Sequence, residues 1–193
     1  EASGLSARAL AQKAYDTSRR FVDRFDTCPQ NLLIYGNCGV GKTFLSHCIA
    51  HELLSAAHCV IYFSSQELFE KLAACAFGRE EGQGTSQEIM EADLLIIDDL
   101  GTEFMTEYTK TELFSLISNR LSTGLSTIIS SNLTLNQIKN IYGNHEANEF
   151  LANCDTMMFL GGRDPETLEV VCNEMGKYNA KELDYSNPRG GRG

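Results

Sequence analysis

The chain has 193 residues, the size of one domain and enough to bury a core without disulfide or metal staples. Aspartate and glutamate total 26 against 16 lysines and arginines, for a net charge of −10. That balance excludes a surface that grips nucleic acid throughout and leaves room only for a local basic patch. No apolar run approaches the roughly 20 residues of a membrane span. The chain opens at Glu1 with no signal-peptide pattern, so it reads as excised from something longer. The seven cysteines, at 28, 38, 48, 59, 75, 154 and 172, are odd in number and form no C-x-x-C pair. That is the pattern of reduced thiols in a cytoplasmic protein. His47 and His51 sit one helical turn apart beside Cys48, but no further ligand completes a metal set.

In chain order, residues 5–26 read as a helix and form the most basic segment, with Arg8, Lys13, Arg19, Arg20 and Arg24. A solvated face is the simple reading of that charge. A patch for a nucleotide, DNA or a partner is the sharper one. Asn31–Tyr35 is a short apolar strand, followed by a Gly-rich turn over 36–43 and a helix over 42–57. Val60–Phe63 is a second strand. Ser64 and Glu67 then offer a capping box for a helix running to Ala76. A polar loop over 77–85 and a short helix over 86–91 come next. Leu94–Ile97 is wholly apolar, as a strand buried on both faces requires, and ends in Asp98-Asp99. An amphipathic helix over 106–122 precedes a strand over Thr127–Ser131. Helices over 134–142 and 145–153, a strand over Thr156–Leu160 and a last helix from Asp164-Pro165 follow. From Lys177 the chain turns polar, so 177–193 is expected to be a disordered tail. Five alternations of strand and helix predict an α/β fold with a parallel sheet covered on both faces.

Three pieces carry chemistry. Gly36-Asn-Cys-Gly-Val-Gly41-Lys42-Thr43 fits G-x-x-x-x-G-K-[ST], between an expected strand and an expected helix. Such a loop wraps its N–H groups around a polyphosphate, and the helix N-terminus adds positive potential. The expected nucleotide contacts are Gly36, Asn37, Cys38, Gly39, Val40, Gly41, Lys42, Thr43 and Phe44. Lys42 reaches the β and γ phosphates, and Thr43 offers its hydroxyl to Mg²⁺. At the end of the acidic strand, Asp98 is the metal-side carboxylate and Asp99 the candidate base. At the end of the next strand, Asn132 is placed to contact the γ-phosphate or the attacking water. Lys42, Asp99 and Asn132 thus form the expected catalytic set. Two acids merely ending a strand, and an Asn132 that only caps a helix, are the structural alternatives.

These residues lie in the pieces NLLIYGNCGVGKTFLSHCIAHELL, DLLIIDDLGTEF and STIISSNLTL. The stretch Asn31–Ile138 resembles the ATPase domain of bacterial helicase loaders of the DnaC/DnaI type and the related transposition helper IstB. The resemblance implies an AAA+ (ASCE-class) P-loop fold of three layers, with a five-stranded parallel sheet in the order 5-1-4-3-2. It implies ATP or ADP with Mg²⁺, and loading of a replicative DNA helicase on single-stranded DNA. It further implies homo-oligomers built around the nucleotide. A helicase-binding part would precede Glu1. On this reading 1–176 is the ATPase domain, with 1–30 as its helical lead-in.

One segment departs from the loader pattern. Loaders carry an Arg-containing helix after the strand that ends in Asn132, yet no arginine lies between Asn132 and Leu160 here. Residues 137–176 look instead like the C-terminal part of TraG-type conjugative coupling ATPases, joined near Gln137. Lys139, Arg120 and Arg163 are then the nearby substitutes for an arginine acting in trans. The readings carried forward are a helicase loader, a coupling-ATPase fragment, a transposition helper, and an interaction module that binds ATP and barely hydrolyses it. A small-molecule kinase is disfavoured, because kinases need several arginines to clamp the transferred group and only three follow Leu121.

Overall fold

The computed structural model describes residues 7–76, 85–101 and 106–161. Its elements run α1 (Ala7–Asp23), β1 (Asn31–Tyr35), α2 (Lys42–Ser55), β2 (Val60–Ser64), α3 (Ser65–Ala76) and α4 (Thr85–Glu91). They continue with β3 (Leu94–Leu100), α5 (Glu107–Ser122), β4 (Ser126–Ser131), α6 (Leu135–Tyr142), α7 (Asn144–Ala152) and β5 (Thr156–Phe159). The expected last helix from Asp164 and the tail 177–193 fall outside the described residues.

The five strands form one parallel sheet in the order β2-β3-β4-β1-β5. Read from the other edge this is 5-1-4-3-2, the AAA+ order. β1 lies between β4 and β5, and all five of its residues are buried. Strand alternation then sorts side chains to two faces. Leu32, Ile34, Leu94, Ile96 and Ile128 pack with Ala14 and Phe21 of α1 and Ile49 and Leu53 of α2. Leu33, Leu95, Ile97 and Ile129 pack on the other face with Leu68 of α3, Ile89 of α4, Leu113 and Ile117 of α5, Ile138 of α6 and Phe150 of α7. The result is three layers, with the C-terminal ends of β1, β3 and β4 gathered at one edge.

Local signals set the element ends. The Ser64–Glu67 box forms, with the Ser64 N–H donating to Glu67 Oε2 at 3.0 Å and the Glu67 N–H to Ser64 Oγ at 3.3 Å. Thr106 with Thr109 and Thr134 with Gln137 build two further boxes that start α5 and α6.

β3 runs three residues past its expected end at Ile97, and the reason lies in its pairing. Ile97 pairs with Ile129, but the next partners are Leu100 and Ser131. Asp98 and Asp99 therefore face the single residue Ser130, which is a β-bulge. Asp99 takes the left-handed conformation there, with φ 56°.

Candidate nucleotide-binding and catalytic site

The site grows from the end of β1. Gly36 has φ 145°, and a Cβ on it would come within 2.7 Å of the Gly161 carbonyl oxygen. Only glycine fits there. The Asn37 N–H donates to that same carbonyl at 3.0 Å, so the residue just past β5 braces the turn from behind. Gly39 and Gly41 hold φ of 79° and 98° in open space. Backbone geometry, not crowding, calls for glycine at both. Gly41 ends the turn as the N-cap of α2.

Lys42 opens α2 and is 4% exposed. Its ammonium donates to the carbonyls of Gly36 and Asn37, each at 3.0 Å, and to Asn132 Oδ1. Burial pulls its pKa below the ordinary lysine value, against the opposing pull of Asp99, Cys38 and Asp98. Asn132 turns its other end to Asp99, with Nδ2 donating to Asp99 Oδ1 at 2.8 Å. The amide thus bridges the loop lysine and the second acid.

Asp98 is nearly buried. Its Oδ2 accepts from Thr43 Oγ1 at 2.9 Å and from the Tyr62 hydroxyl, while Oδ1 accepts from Ser130 Oγ. Burial alone would raise its pKa. The hydrogen bonds from Ser130, Tyr62 and Thr43 outweigh burial and hold it below the usual carboxylate value. Burial, reinforced by the bond to Asp98, pushes the Tyr62 phenol well above its ordinary value, so it stays a donor.

Consecutive residues of a regular strand point to opposite faces. The bulge removes that constraint, so Asp98 meets Thr43 while Asp99 meets Asn132. Ser130 closes the bulge by accepting from the Asp99 N–H at 3.1 Å. Ser65, at the start of α3, holds the Asp99 carbonyl at 3.0 Å.

The donor set fits Mg-ATP. Lys42 would offer a charge to phosphate oxygens, and the loop holds its glycines in left-handed backbone of the kind that suits anion binding. The Thr43 hydroxyl and the Asp98 carboxylate are hard oxygen donors of the kind Mg²⁺ accepts beside waters and nucleotide oxygens. Among the described residues no group of three or more His, Cys, Asp or Glu could hold a metal by itself. Phe44 is 70% exposed, on the outer surface just past the loop.

Residues 2–153 match the family described as IstB-like ATP binding protein. The chain belongs to that family. This IstB-like chain is 32% identical over 107 residues to the ATP-binding protein of insertion sequence IS1162 from Pseudomonas fluorescens, covering 53% of this chain and 44% of that one. It is 28% identical over 111 residues to the replicative helicase loader DnaI of Bacillus subtilis, covering 57% of this chain and 35% of the loader. It thus spans less than half of either relative. A crystal structure of the DnaC helicase loader superposes with a TM-score of 0.66 at 22% identity, over 78% of this chain and 89% of that one. At that identity the likeness shows the shared fold.

The IstB-like match crosses Gln137 and ends at Asn153, and β5 pairs directly with β1 from Leu32↔Thr156 to Tyr35↔Phe159. The resemblance of 137–176 to coupling ATPases gains no support from the comparisons. A correction concerns Arg120. It is fully buried and donates to the carbonyls of Ile89 at 2.6 Å, Ala92 at 2.9 Å and Ser126 at 2.8 Å, and to Thr127 Oγ1 at 3.2 Å. A side chain spent on four internal acceptors cannot serve a neighbouring molecule. Burial pulls its pKa down to about 10, against the opposing charge of Asp93. Lys139 lies in the last turn of α6, and Arg163 is outside the described residues.

The structure brings Lys42, Thr43, Asp98, Asp99 and Asn132 into one hydrogen-bonded group. Sequence reasoning missed Tyr62, Ser65, Ser130 and the brace at Gly161. Ser130 carried a signal, since a serine inside an isoleucine-rich buried strand needs a polar partner. Tyr62 carried a weaker one: it alternates with Ile61 and Phe63, but its partner depends on the β2–β3 register.

Proposed function

We propose that this IstB-like domain binds ATP with Mg²⁺ through residues 36–43 and hydrolyses it slowly when isolated. The observation that carries the reading is the convergence of two hydrogen-bonded groups at the C-terminal ends of the strands. Thr43 with Asp98 offers the metal side, and Lys42 with Asn132 and Asp99 offers the γ-phosphate side. Asp99 is the proposed base and Asn132 the group that relates it to the phosphate. Magnesium would neutralise phosphate charge where Thr43 and Asp98 meet.

The wider role we favour is the helicase-loader one, in which nucleotide turnover is coupled to placing a replicative DNA helicase on single-stranded DNA. Likeness to DnaI in sequence and to DnaC in fold supports it. Any DNA contact would be local. Arg19 is engaged with Asp23 and Glu52, and Arg20 with Asp16 and Thr17, which leaves the exposed Arg8, Lys13 and Arg24 of the α1 region as the basic surface to test. The second reading is a transposition helper ATPase, favoured by the 32% identity to the insertion-sequence protein. Co-purification of the full chain with a replicative helicase supports the first reading, and with a transposase the second.

Slow turnover is expected because Arg120 is bonded internally and the run from Leu121 to Gly162 holds no arginine. An arginine acting in trans is worth roughly 10³–10⁵ in rate. Steady-state ATPase measured against protein concentration, with and without single-stranded DNA, should stay low and proportional to concentration. Turnover per molecule that climbs steeply with concentration would show that another cation, Lys139 or Arg163, completes the site between copies.

A further inference from the structure

Thr43 and His47 stand one turn apart on α2, so they share a face. The His47 ring stacks on Tyr62, with centroids 4.8 Å apart and planes at 28°. Tyr62 pairs with Ile96 in the β2–β3 register, two residues before Asp98, which places it on the same face as that acid. Its hydroxyl donates to Asp98 Oδ2, the oxygen that also accepts from Thr43. Helix, edge strand and acidic strand are thereby closed into one circuit: Thr43, Asp98, Tyr62, His47.

We propose that Tyr62 is a positioning residue for the nucleotide's magnesium, setting the Asp98 carboxylate toward Thr43 while His47 holds the phenol ring in place. The proposal rests on the reading that residues 36–43 bind Mg-ATP. A carboxylate's terminal torsion is soft, so its plane is set by whatever its oxygens touch. If the Thr43 hydroxyl were given to a metal, Asp98 would keep two donors, Tyr62 on Oδ2 and Ser130 on Oδ1. Phenylalanine would fill the same space against His47, so packing alone does not account for the hydroxyl. Groups that hydrogen-bond a ligating carboxylate typically change metal affinity by about 10–100-fold when removed.

The test is calorimetric titration of ATP into the full chain, in EDTA and across a series of MgCl₂ concentrations, for wild type, Tyr62→Phe, His47→Ala and Lys42→Ala. Thermal melting of each variant accompanies it. Tyr62→Phe should raise the Mg²⁺ concentration that half-restores tight ATP binding by roughly tenfold. Its ATP affinity in EDTA should stay at the wild-type value, and its melting temperature should fall only slightly, since one of three hydrogen bonds to the Asp98 carboxylate is lost. His47→Ala should shift the Mg²⁺ curve the same way by less. A Tyr62→Phe curve that overlays wild type overturns the proposal. So does a loss of affinity equal in EDTA and in Mg²⁺, which would mark a general packing role. Lys42→Ala separates the two levels: if it binds ATP as well as wild type, the nucleotide reading itself fails, whatever Tyr62 does.

Discussion

In the proposed function Lys42 and the two acids have different tasks, and substitutions should separate them. Lys42→Ala removes a charge-assisted contact worth about 1.5–3 kcal/mol, so ATP should bind roughly 10–100-fold more weakly in titration. Asp99→Asn keeps a group that can still meet Asn132 but removes the proposed base. ATP binding should survive and phosphate release should fall; wild-type turnover would remove Asp99 from that role. Asp98 adds a pH signature. Its hydrogen bonds hold its folded pKa below the ordinary 3.8. The stability it lends is therefore fully present above that value and is lost as pH falls through the folded value. Asp98→Asn should flatten the acid limb of a thermal-melting profile. Most of these side chains were legible in the sequence, because a phosphate loop and an acid pair at strand ends are spacing motifs. The bridging by Asn132 was legible only as a position. Its two partners come from α2 and from a bulged β3, and the bulge appears only once β3 is paired with β4.

At the level of elements, Arg120 ties α5 to the end of α4 and the start of β4. Arg120→Ala should leave three buried carbonyls short of a donor and cost about 3–5 kcal/mol, read as a lower denaturation midpoint in urea. ATPase per folded molecule should be unchanged; loss of turnover at full stability would return Arg120 to the site. The sequence offered Arg120 only as one of three substitutes for an arginine acting in trans, because the run from Leu121 to Gly162 holds no arginine. Position on an amphipathic helix does not reveal whether a long side chain reaches out or folds back onto carbonyls. Element ends were clearer where chemistry marks them: the Ser64–Glu67 box sits where its spacing puts it. The end of β3 was not, since nothing local in Asp98-Asp99-Leu100 announces a bulge.

Across the whole molecule, alternation of strand and helix foretold a covered parallel sheet, while its order came from resemblance to loaders rather than from periodicity. The structure adds what order alone leaves out. β5 packs beside β1 and delivers Gly161 to the back of the phosphate loop. Gly36→Ala should therefore harm both halves, lowering the melting temperature and weakening ATP binding together, because its Cβ would meet the Gly161 carbonyl. No helix among the described residues is long and apolar enough to cross a membrane. The proposed function depends on the phosphate loop. The most direct measurement is calorimetric titration of ATP into the full wild-type chain with Mg²⁺ and again in EDTA. One ATP should bind per chain, tighter with Mg²⁺ than without. No heat of binding with Mg²⁺, or an affinity indifferent to the metal, would contradict that function.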